Sequence, residues 1–249
     1  MTTRASHRCC RLLLRFEPDR LRQDLERALQ VPRTPHFVER NYRGEWSALA
    51  LRSADGQLGH AHSLPGRRAA EHADTPLLAE CPHFREALAT LACPIGAVRL
   101  LLLGPGSEIL EHTDHDLGVD GSMLRLHLPI QTHPDVEFFV EDERVVMDEG
   151  ECWYIDTSLR HRARNPTTQS RVHLVVDCEL SPWLRKQLTL GGLQPRQRDP
   201  FELRGVRQAD LERVVQELRA QRSPDAERLA LELERDLAVS APTPGPRRH

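Results

Sequence analysis

The stretch Met123-Leu-Arg125-Leu-His127-Leu-Pro-Ile130 decides the kind of fold that this chain predicts. Side chains alternate between the two faces of a strand, so the leucines and Ile130 share one face, and Arg125 and His127 share the other. A strand at the surface of a sheet shows the same alternation, with its polar face in water. Taken alone, the stretch therefore predicts a strand and leaves the surroundings of its polar face open.

A second stretch, Arg171-Val-His173-Leu-Val-Val-Asp177, has the same arrangement. Arg171, His173 and Asp177 share its polar face, and valine and leucine occupy the opposite face. Two strands that both read Arg-apolar-His favour a polar cavity inside a barrel over two polar faces in water. The interior of the predicted barrel is thus the first place to search for chemistry.

Other short segments also follow a period of two residues, and turn signals such as Asp120-Gly121 and Glu149-Gly150 separate them. Before residue 180, helical spacing appears in a segment that begins near Pro18 and in residues 82–92. Many short strands with such turns are typical of an antiparallel sandwich or barrel. The predicted strands are residues 11–16, 46–52, 98–103, 123–132, 136–141, 144–147, 151–157 and 171–179.

Composition excludes several classes of protein. A chain of 249 residues suits one domain with appendages, and a net charge of −3 argues against a general nucleic-acid binder. No apolar run approaches the length of a membrane span, so no membrane association is expected. The six cysteines include no CxxC pair, which favours reduced thiols and a cytoplasmic location over a disulfide framework.

The C-terminal part of the chain changes character after Pro182-Trp183. Residues 185–208 show no regular pattern, and two helical stripes follow within residues 211–218 and 226–237. These helices are expected to pack on the barrel or to mediate a homodimer. The predicted organisation is a β domain over residues 1–180, a helical extension over 181–240 and a disordered tail over 241–249.

A long segment without a regular pattern, residues 54–76, is rich in glycine, proline, serine, histidine and charged residues. Such a segment in a compact domain is often a lid or a binding loop. Its histidines, His60, His62 and His72, are interpreted as exposed loop residues and not as ligands.

The chemistry centres on His112-Thr113-Asp114, because residues two apart project from one side of an extended chain. One metal ion could bind both side chains, and His161 could complete two histidines and one carboxylate, the set that non-haem Fe(II) oxygenases use. Arg171 offers a fork of donors for a carboxylate. An HxD pair is common by chance, however, and His115-Asp116 are rival ligands, although His115 is out of phase with Asp114.

The conjunction of these motifs, in this order, resembles the aspartyl/asparaginyl β-hydroxylase family and the related bacterial proline hydroxylases. The resemblance is strong over residues 80–180 and weaker over 11–53, where Asn41-Tyr-Arg-Gly-Glu-Trp46 is similar to the family. It implies a mainly β fold, a double-stranded β-helix (cupin-like jelly roll), with flanking N-terminal helices and a C-terminal helical extension outside the resemblance. It also implies a 2-oxoglutarate-dependent dioxygenase that acts as a hydroxylase.

By this resemblance, His112, Asp114 and His161 bind Fe(II), and Arg171 binds the distal carboxylate of the cosubstrate 2-oxoglutarate, with O2 as the oxidant. His127 is expected at the cosubstrate. Arg125 is expected near the substrate or the cosubstrate. Some aspartyl hydroxylases have glycine at the position of Asp114, whereas this chain has the carboxylate.

Two other classes of function stay open at this point. One is a cupin-like metal enzyme that does not use 2-oxoglutarate. The other is a non-catalytic binding or regulatory barrel, with the C-terminal helices as its interaction surface. The substrate is also open: a free amino acid, an amino-acid-derived natural product and a peptidyl side chain all fit. Trp153 and Tyr154 are interpreted as core residues. For Trp46, a core position and a position at the cavity mouth are equally supported.

Overall fold

The computed structural model describes residues 6–36, 38–61, 67–114, 117–119, 121 and 123–194, and beyond them the single residues 215, 216, 219, 227 and 231. The chain divides into two compact units, Met1–Gln194 and Pro195–His249. The five described residues of the second unit are helical. The rest of the predicted C-terminal helices, and the predicted tail over 241–249, lie outside the described residues.

The described part of the first unit contains thirteen strands and four α-helices. The helices are α1 (Pro18–Ala28), α2 (Pro76–Ala79), α3 (Pro82–Ala89) and α4 (Pro182–Leu190). The strands are β1 (Cys9–Arg15), β2 (Thr34–Pro35), β3 (Tyr42–Arg43), β4 (Trp46–Ser53), β5 (Ala73–Asp74), β6 (Ile95–Leu103), β7 (Glu108–His112), β8 (Leu124–Gln131), β9 (Glu137–Val140), β10 (Glu143–Arg144), β11 (Glu151–Ile155), β12 (His161–Arg164) and β13 (Arg171–Cys178).

The strands form two antiparallel sheets. The larger has the order β1-β11-β8-β13-β6-β4-β2, with β5 paired to β4, and the smaller has the order β10-β9-β12-β7-β3. From β6 to β13 the chain alternates between the sheets, so that β6, β8, β11 and β13 face β7, β9, β10 and β12. This is a jelly roll, and it confirms the prediction of a mainly β double-stranded β-helix with N-terminal helices beside it.

The central strands of the larger sheet are buried on both faces. In β8 and β13, the leucines together with Val172 and Val176 point away from the smaller sheet and join an apolar cluster with Leu21, Leu25 and Phe84 of helices α1 and α3. Helix α1 supplies a matching stripe because Leu21, Leu25 and Ala28 recur at helical spacing after Pro18 at its first turn. The helices therefore cover the outer, apolar face of the larger sheet.

The inner face of the same strands carries the polar side chains. Arg125, His127, Arg171, His173 and Asp177 are each at most 8% exposed. A smaller apolar cluster lies on the same side, between the sheets, and includes Leu103, Ile109, Phe138, Trp153 and Ile155. The alternation in these strands thus separates an apolar outer layer from a polar cavity inside the barrel, as the repeated Arg-apolar-His pattern predicts.

Several local predictions were wrong. Strands β7 and β12 were not among the predicted strands, because each is short and β12 reads His-Arg-Ala-Arg with only its alternate residues buried. Residues 182–190 form α4, not an irregular segment; the Ser181 hydroxyl caps it by accepting a hydrogen bond from the Leu184 N–H at 3.1 Å. Helix α4 packs against β1, where Cys10 and Leu188 are buried in one cluster.

Other predictions about loops have mixed outcomes. His60 is exposed, as expected, and its Nδ1 lies 2.6 Å from Asp55 Oδ2. His72 is only 9% exposed, which corrects the expectation of an exposed loop residue; its Nδ1 lies 3.0 Å from the Arg68 carbonyl. His62 lies outside the described residues. All six cysteines are free thiols, and among the described residues no helix is long and apolar enough to cross a membrane.

Candidate metal and carboxylate site

The three predicted metal ligands converge at one end of the smaller sheet. His112 is the last residue of β7 and His161 is the first of β12, and the two residues lie directly opposite each other in that strand pair. Asp114 follows two residues after His112, and its N–H donates to the Thr157 carbonyl at 2.8 Å. One ligand atom from each of the three side chains lies within 4.8 Å of the others, a spacing that one metal ion could bridge.

Backbone hydrogen bonds orient both imidazoles. His112 Nδ1 lies 2.8 Å from the Leu110 carbonyl, and His161 Nδ1 lies 2.9 Å from the Leu159 carbonyl. A carbonyl only accepts, so each Nδ1 carries a proton and each Nε2 keeps its lone pair for a ligand. The Nε2 atoms of His112 and His161 lie 3.8 Å and 3.9 Å from the carboxylate oxygens of Asp114.

The protonation states suit metal binding. Burial lowers the pKa of His161 to about 4, so its imidazole is neutral near pH 7. Burial alone would raise the pKa of Asp114. The charge of Arg125 and the neighbouring imidazoles lower this pKa by more than burial raises it, so the net pKa lies below its ordinary value. The neutral imidazole of His161 and the ionised carboxylate of Asp114 are the donor forms that a divalent metal requires.

Arg125 lies beside the metal ligands and joins two carboxylates. Its Nη1 donates to Asp114 Oδ2. Its Nε and Nη2 donate to the two oxygens of Asp177 at 2.7 and 3.1 Å, and Arg99 Nη2 donates to the same Asp177 at 2.8 Å. Arg125 is therefore engaged by protein carboxylates. Its predicted role at the substrate or cosubstrate stays a prediction.

Arg171 is also a buried cation, but unlike Arg125 it forms no ion pair with a described carboxylate. It is 3% exposed, and among the described residues no carboxylate forms an ion pair with it. Its Nε has no hydrogen-bond partner among them, and its Nη2 lies 2.9 Å from His173 Nδ1. Burial lowers its pKa to about 9, so the group is charged at neutral pH. A buried guanidinium with an unpartnered donor fits an anionic ligand.

His173 links Arg171 to His127. A guanidinium can only donate, so His173 Nδ1 must accept from Arg171. His127 Nδ1 lies 3.4 Å from the same His173 nitrogen, and this contact is a hydrogen bond only if His127 Nδ1 carries the proton. His127 Nε2 then has a free lone pair, and it has no partner among the described residues. Burial and then the charge of Arg171 lower the pKa of both histidines well below the ordinary value, so both are neutral.

Phe138, which no sequence pattern indicated, lies between the candidate metal ligand His161 and Arg171. Its ring stacks on His161 with centroids 6.3 Å apart, and its edge meets His127 at 5.8 Å. The guanidinium carbon of Arg171 lies 5.6 Å from the centre of the same ring. The segment Glu137-Phe138-Phe139-Val140 carries no signal that separates Phe138 from Phe139, since only the pairing of β9 with β12 decides which ring faces the cavity.

A cavity of about 490 Å³ reaches Arg171 and His173 from the side of the barrel between the β8–β9 and β10–β11 connections. Phe138 and Met147 contribute apolar walls, and Arg171 and His173 contribute polar ones. Pockets for small ligands are commonly a few hundred cubic ångströms in volume, apolar, with a few converging polar groups. The size of the cavity suits a small ligand, and its polar lining also includes the carboxylates of Asp148 and Glu149.

Trp46 lies beside the metal ligand His112, with ring centroids 6.1 Å apart. His36 stacks on the other side of the indole at 3.5 Å between centroids, and Tyr42 meets it edge-on at 5.7 Å. Trp46 is 6% exposed and packs into the cluster between the sheets, so the core interpretation is correct. Trp153 and Tyr154 are also buried, as expected. The rival ligands His115 and Asp116 lie outside the described residues.

Comparisons with known proteins identify similar sequences and structures. The model of a family described as Aspartyl/Asparaginyl beta-hydroxylase matches residues 16–180. The chain is similar to an L-proline cis-4-hydroxylase from Rhizobium meliloti (strain 1021), with 28% identity over 172 residues. That alignment covers 67% of this chain and 59% of the relative, so it spans less than two thirds of the relative's length.

Solved structures with low sequence identity also align with the chain. A prolyl-4-hydroxylase from Pseudomonas putida aligns with a TM-score of 0.41 and 16% identity, over 71% of this chain and 95% of that chain. An oxidoreductase of the 2OG-Fe(II) oxygenase family from Burkholderia pseudomallei aligns with a TM-score of 0.43 and 12% identity, over 64% of this chain and 78% of that chain.

Proposed function

The chain belongs to the aspartyl/asparaginyl β-hydroxylase family, whose model matches residues 16–180, and we propose that it is an Fe(II)- and 2-oxoglutarate-dependent hydroxylase. The contacts of Phe138 carry this proposal. One ring touches His161 of the metal triad and lies against the buried Arg171. The candidate metal ligand and the buried cation therefore lie next to the same ring, and this proximity supports a chelating 2-oxoacid with a distal carboxylate as the ligand.

The donor set supports Fe(II) as the metal. His112, Asp114 and His161 offer two imidazole nitrogens and one carboxylate on one face of a metal ion, and this set leaves positions open for other ligands. The protons on the two Nδ1 atoms leave the Nε2 lone pairs available for a metal ion. Little rearrangement of the histidines is needed when the ion binds.

Arg171 supports the assignment of a dicarboxylate cosubstrate. A buried cation is costly unless an anion is paired with it. The unpartnered Nε of Arg171, together with its planar fork of donors, suits two parallel hydrogen bonds to a carboxylate. Bound 2-oxoglutarate would satisfy this donor and compensate the charge.

The bound Fe(II), with 2-oxoglutarate and O2, supplies the oxidising power that converts a C–H bond into C–OH while 2-oxoglutarate becomes succinate and CO2. The protein holds the reactants. Arg171 anchors the cosubstrate, and the rings of Phe138 and Trp46 limit the access of water to the ligands His161 and His112. No acid–base pair is required, which agrees with the neutral state of His127 and His173.

We propose an amino acid, or an amino-acid-derived or peptidyl side chain, as the substrate. The family and the similarity to an L-proline cis-4-hydroxylase support this class. L-Proline is accordingly the first compound to test, followed by other free amino acids and short peptides. A cytoplasmic location is part of the same proposal, and the six free thiols support it.

The experiment is a screen for coupled turnover. Purified protein is incubated with Fe(II), 2-oxoglutarate and O2, and succinate and hydroxylated product are quantified by mass spectrometry for each candidate substrate. We expect succinate to rise with one substrate class and to match the product in amount. Product formation that needs the metal but not 2-oxoglutarate would instead support a metal enzyme of the cupin type. Failure to bind Fe(II) would support a non-catalytic barrel.

A further inference from the structure

Three charged side chains on neighbouring strands form a buried network behind the metal ligands. Arg99 on β6, Asp177 on β13 and Arg125 on β8 are 4%, 1% and 8% exposed. Asp177 lies directly opposite Arg125 in the pair of β13 with β8. The network therefore crosses three adjacent strands of the larger sheet, β8, β13 and β6.

The hydrogen bonds of this network lead from Arg99 through Asp177 and Arg125 to the carboxylate of Asp114. Arg99 Nη2 and Arg125 Nη2 both donate to Asp177 Oδ2, and Arg125 Nε donates to Asp177 Oδ1. The remaining arm of Arg125, Nη1, reaches Asp114 Oδ2. Asp177 thus fixes the plane of the Arg125 guanidinium, and that plane fixes one oxygen of the metal-binding carboxylate.

The charges of the network balance without any ligand. Arg99 and Arg125 contribute two positive charges, and Asp177 and Asp114 contribute two negative ones. Removal of the charge of Asp177 would leave two buried guanidinium groups with Asp114 as their nearest described carboxylate. Arg125 would then hold Asp114 by the stronger attraction, and a metal ion would have to compete with it.

We infer that Arg125, held by Asp177 and Arg99, is a positioning residue that presents Asp114 to the metal. The inference rests on the proposed metal site, and it assigns Arg125 to the metal carboxylate, not to the cosubstrate. Asp114 Oδ2 accepts a hydrogen bond from Arg125 and lies 3.9 Å from His161 Nε2, while Asp114 Oδ1 lies 3.8 Å from His112 Nε2, so Arg125 orients a carboxylate that faces both histidines. Groups that orient a metal ligand typically contribute 10- to 100-fold, roughly, to metal affinity.

The test uses Co(II) as the probe, because its visible absorption reports both affinity and ligand geometry. Wild-type protein and Asp177→Asn are titrated with Co(II) without oxygen. We expect Asp177→Asn to bind Co(II) about 10- to 100-fold more weakly, with an altered visible spectrum. Arg125→Lys keeps the positive charge but lacks the fork of donors that bridges two carboxylates. Its affinity for Co(II) should lie between the affinities of the wild type and Asp177→Asn.

A matched control separates positioning from general destabilisation. Leu174 lies on β13 with its side chain in the apolar cluster on the outer face, so Leu174→Ala should lower the melting temperature and leave Co(II) affinity and spectrum unchanged. If Asp177→Asn loses no more affinity than Leu174→Ala, the inference is wrong although the metal site stands. If wild-type protein does not bind Co(II), the proposed function itself is overturned.

The variant Asp177→Asn could fail to fold because it leaves buried charge uncompensated. The double variant Arg99→Met/Asp177→Asn then decides, since it removes one charge of each sign and leaves the contact between Arg125 and Asp114. We expect this protein to fold and to bind Co(II) more weakly than wild type, because Arg125 has lost the group that orients it. Wild-type affinity in the double variant would overturn the inference.

Discussion

His112 and His161 lie opposite each other in the pair of strands β7 and β12, with their ring centroids 4.3 Å apart and both Nδ1 atoms bonded to backbone carbonyls. Their Nε2 atoms therefore point toward Asp114 and are available to bind a metal ion. We expect His112→Ala and His161→Ala each to abolish Fe(II) binding and turnover, because two remaining ligands hold the ion poorly. Asp114→Ala should be severe but less complete, since some relatives have glycine there.

Iron content per protein, measured after anaerobic reconstitution, checks this prediction. His133→Ala is a suitable control because His133 is an exposed histidine on the β8–β9 connection, with 54% of its side chain accessible. It should retain the full metal content. Unchanged iron in both His112→Ala and His161→Ala would show that the metal, if one binds, is held elsewhere.

Arg171→Ala should weaken 2-oxoglutarate binding by more than tenfold while Fe(II) still binds. Loss of a charge-assisted pair in a buried site costs about 2–5 kcal/mol. Arg171→Lys should have a smaller effect of the same sign, because lysine keeps the charge and loses the fork. The measurement is anaerobic titration of the iron-loaded protein with 2-oxoglutarate, followed by the charge-transfer absorption of the complex.

Arg162→Ala is the control for Arg171, since Arg162 is exposed on β12 and its guanidinium lies over Phe139 at 3.9 Å. Its titration curve should equal that of the wild type. Identical curves for wild type and Arg171→Ala would remove the carboxylate site and favour a metal enzyme that does not use 2-oxoglutarate.

Phe138→Leu should reduce turnover and 2-oxoglutarate affinity together. Leucine keeps the site apolar but loses the flat ring that stacks on His161 and faces Arg171. Phe139→Leu is the matched control on the same strand, since the adjacent side chain points to the opposite face. Steady-state kinetics with varied 2-oxoglutarate compares the two variants, and equal effects from both would mean that Phe138 contributes only to general packing.

The stability of the metal-free protein should fall in mild acid partly because of His173. Burial, and then the charge of Arg171, hold the pKa of His173 well below its ordinary value. The unfolded chain gains a proton on this residue as the pH drops through roughly 6.5, whereas the folded protein does not, so acid favours unfolding. We therefore expect the unfolding free energy of His173→Gln to fall less than that of the wild type when the pH is lowered from about 7.5 to about 5.5.

Urea denaturation at the two pH values tests this difference. His133→Gln, at an exposed position, should keep the wild-type dependence on pH. If His173→Gln also kept the wild-type dependence, His173 would not be the group whose neutral state the fold requires, and its hydrogen bond with Arg171 would need reassignment.

Truncation after Gln194 should preserve the binding of Fe(II) and 2-oxoglutarate, because the first compact unit contains every candidate site residue. The predicted C-terminal helices would be lost, and with them the apolar stripes that are expected to pack on the barrel or to mediate a homodimer. Light scattering should then show a changed number of subunits, or the truncated protein should be less soluble. An unchanged number of subunits and an unchanged melting temperature would indicate that the extension is an independent appendage.

The polar cavity could be predicted from the sequence because strand geometry has a period of two residues. Arg125 and His127, and then Arg171 and His173, recur on one face of two strands, and leucine and valine take the other. The same local rule explains why the HxD pair was recognised. It could not identify β7 and β12 as strands, since the two apolar residues of β7 are adjacent and β12 has only one, so neither shows an apolar alternation.

What only the tertiary structure decided is which side chains meet. His112 and His161 are 49 residues apart and become partners because β7 pairs with β12. The pairing of β9 with β12 turns Phe138, and not Phe139, toward the cavity, and the pairing of β13 with β8 puts Asp177 opposite Arg125. Sequence patterns report the faces of single elements, whereas the partners across a sheet depend on register, which the packing of the whole barrel selects.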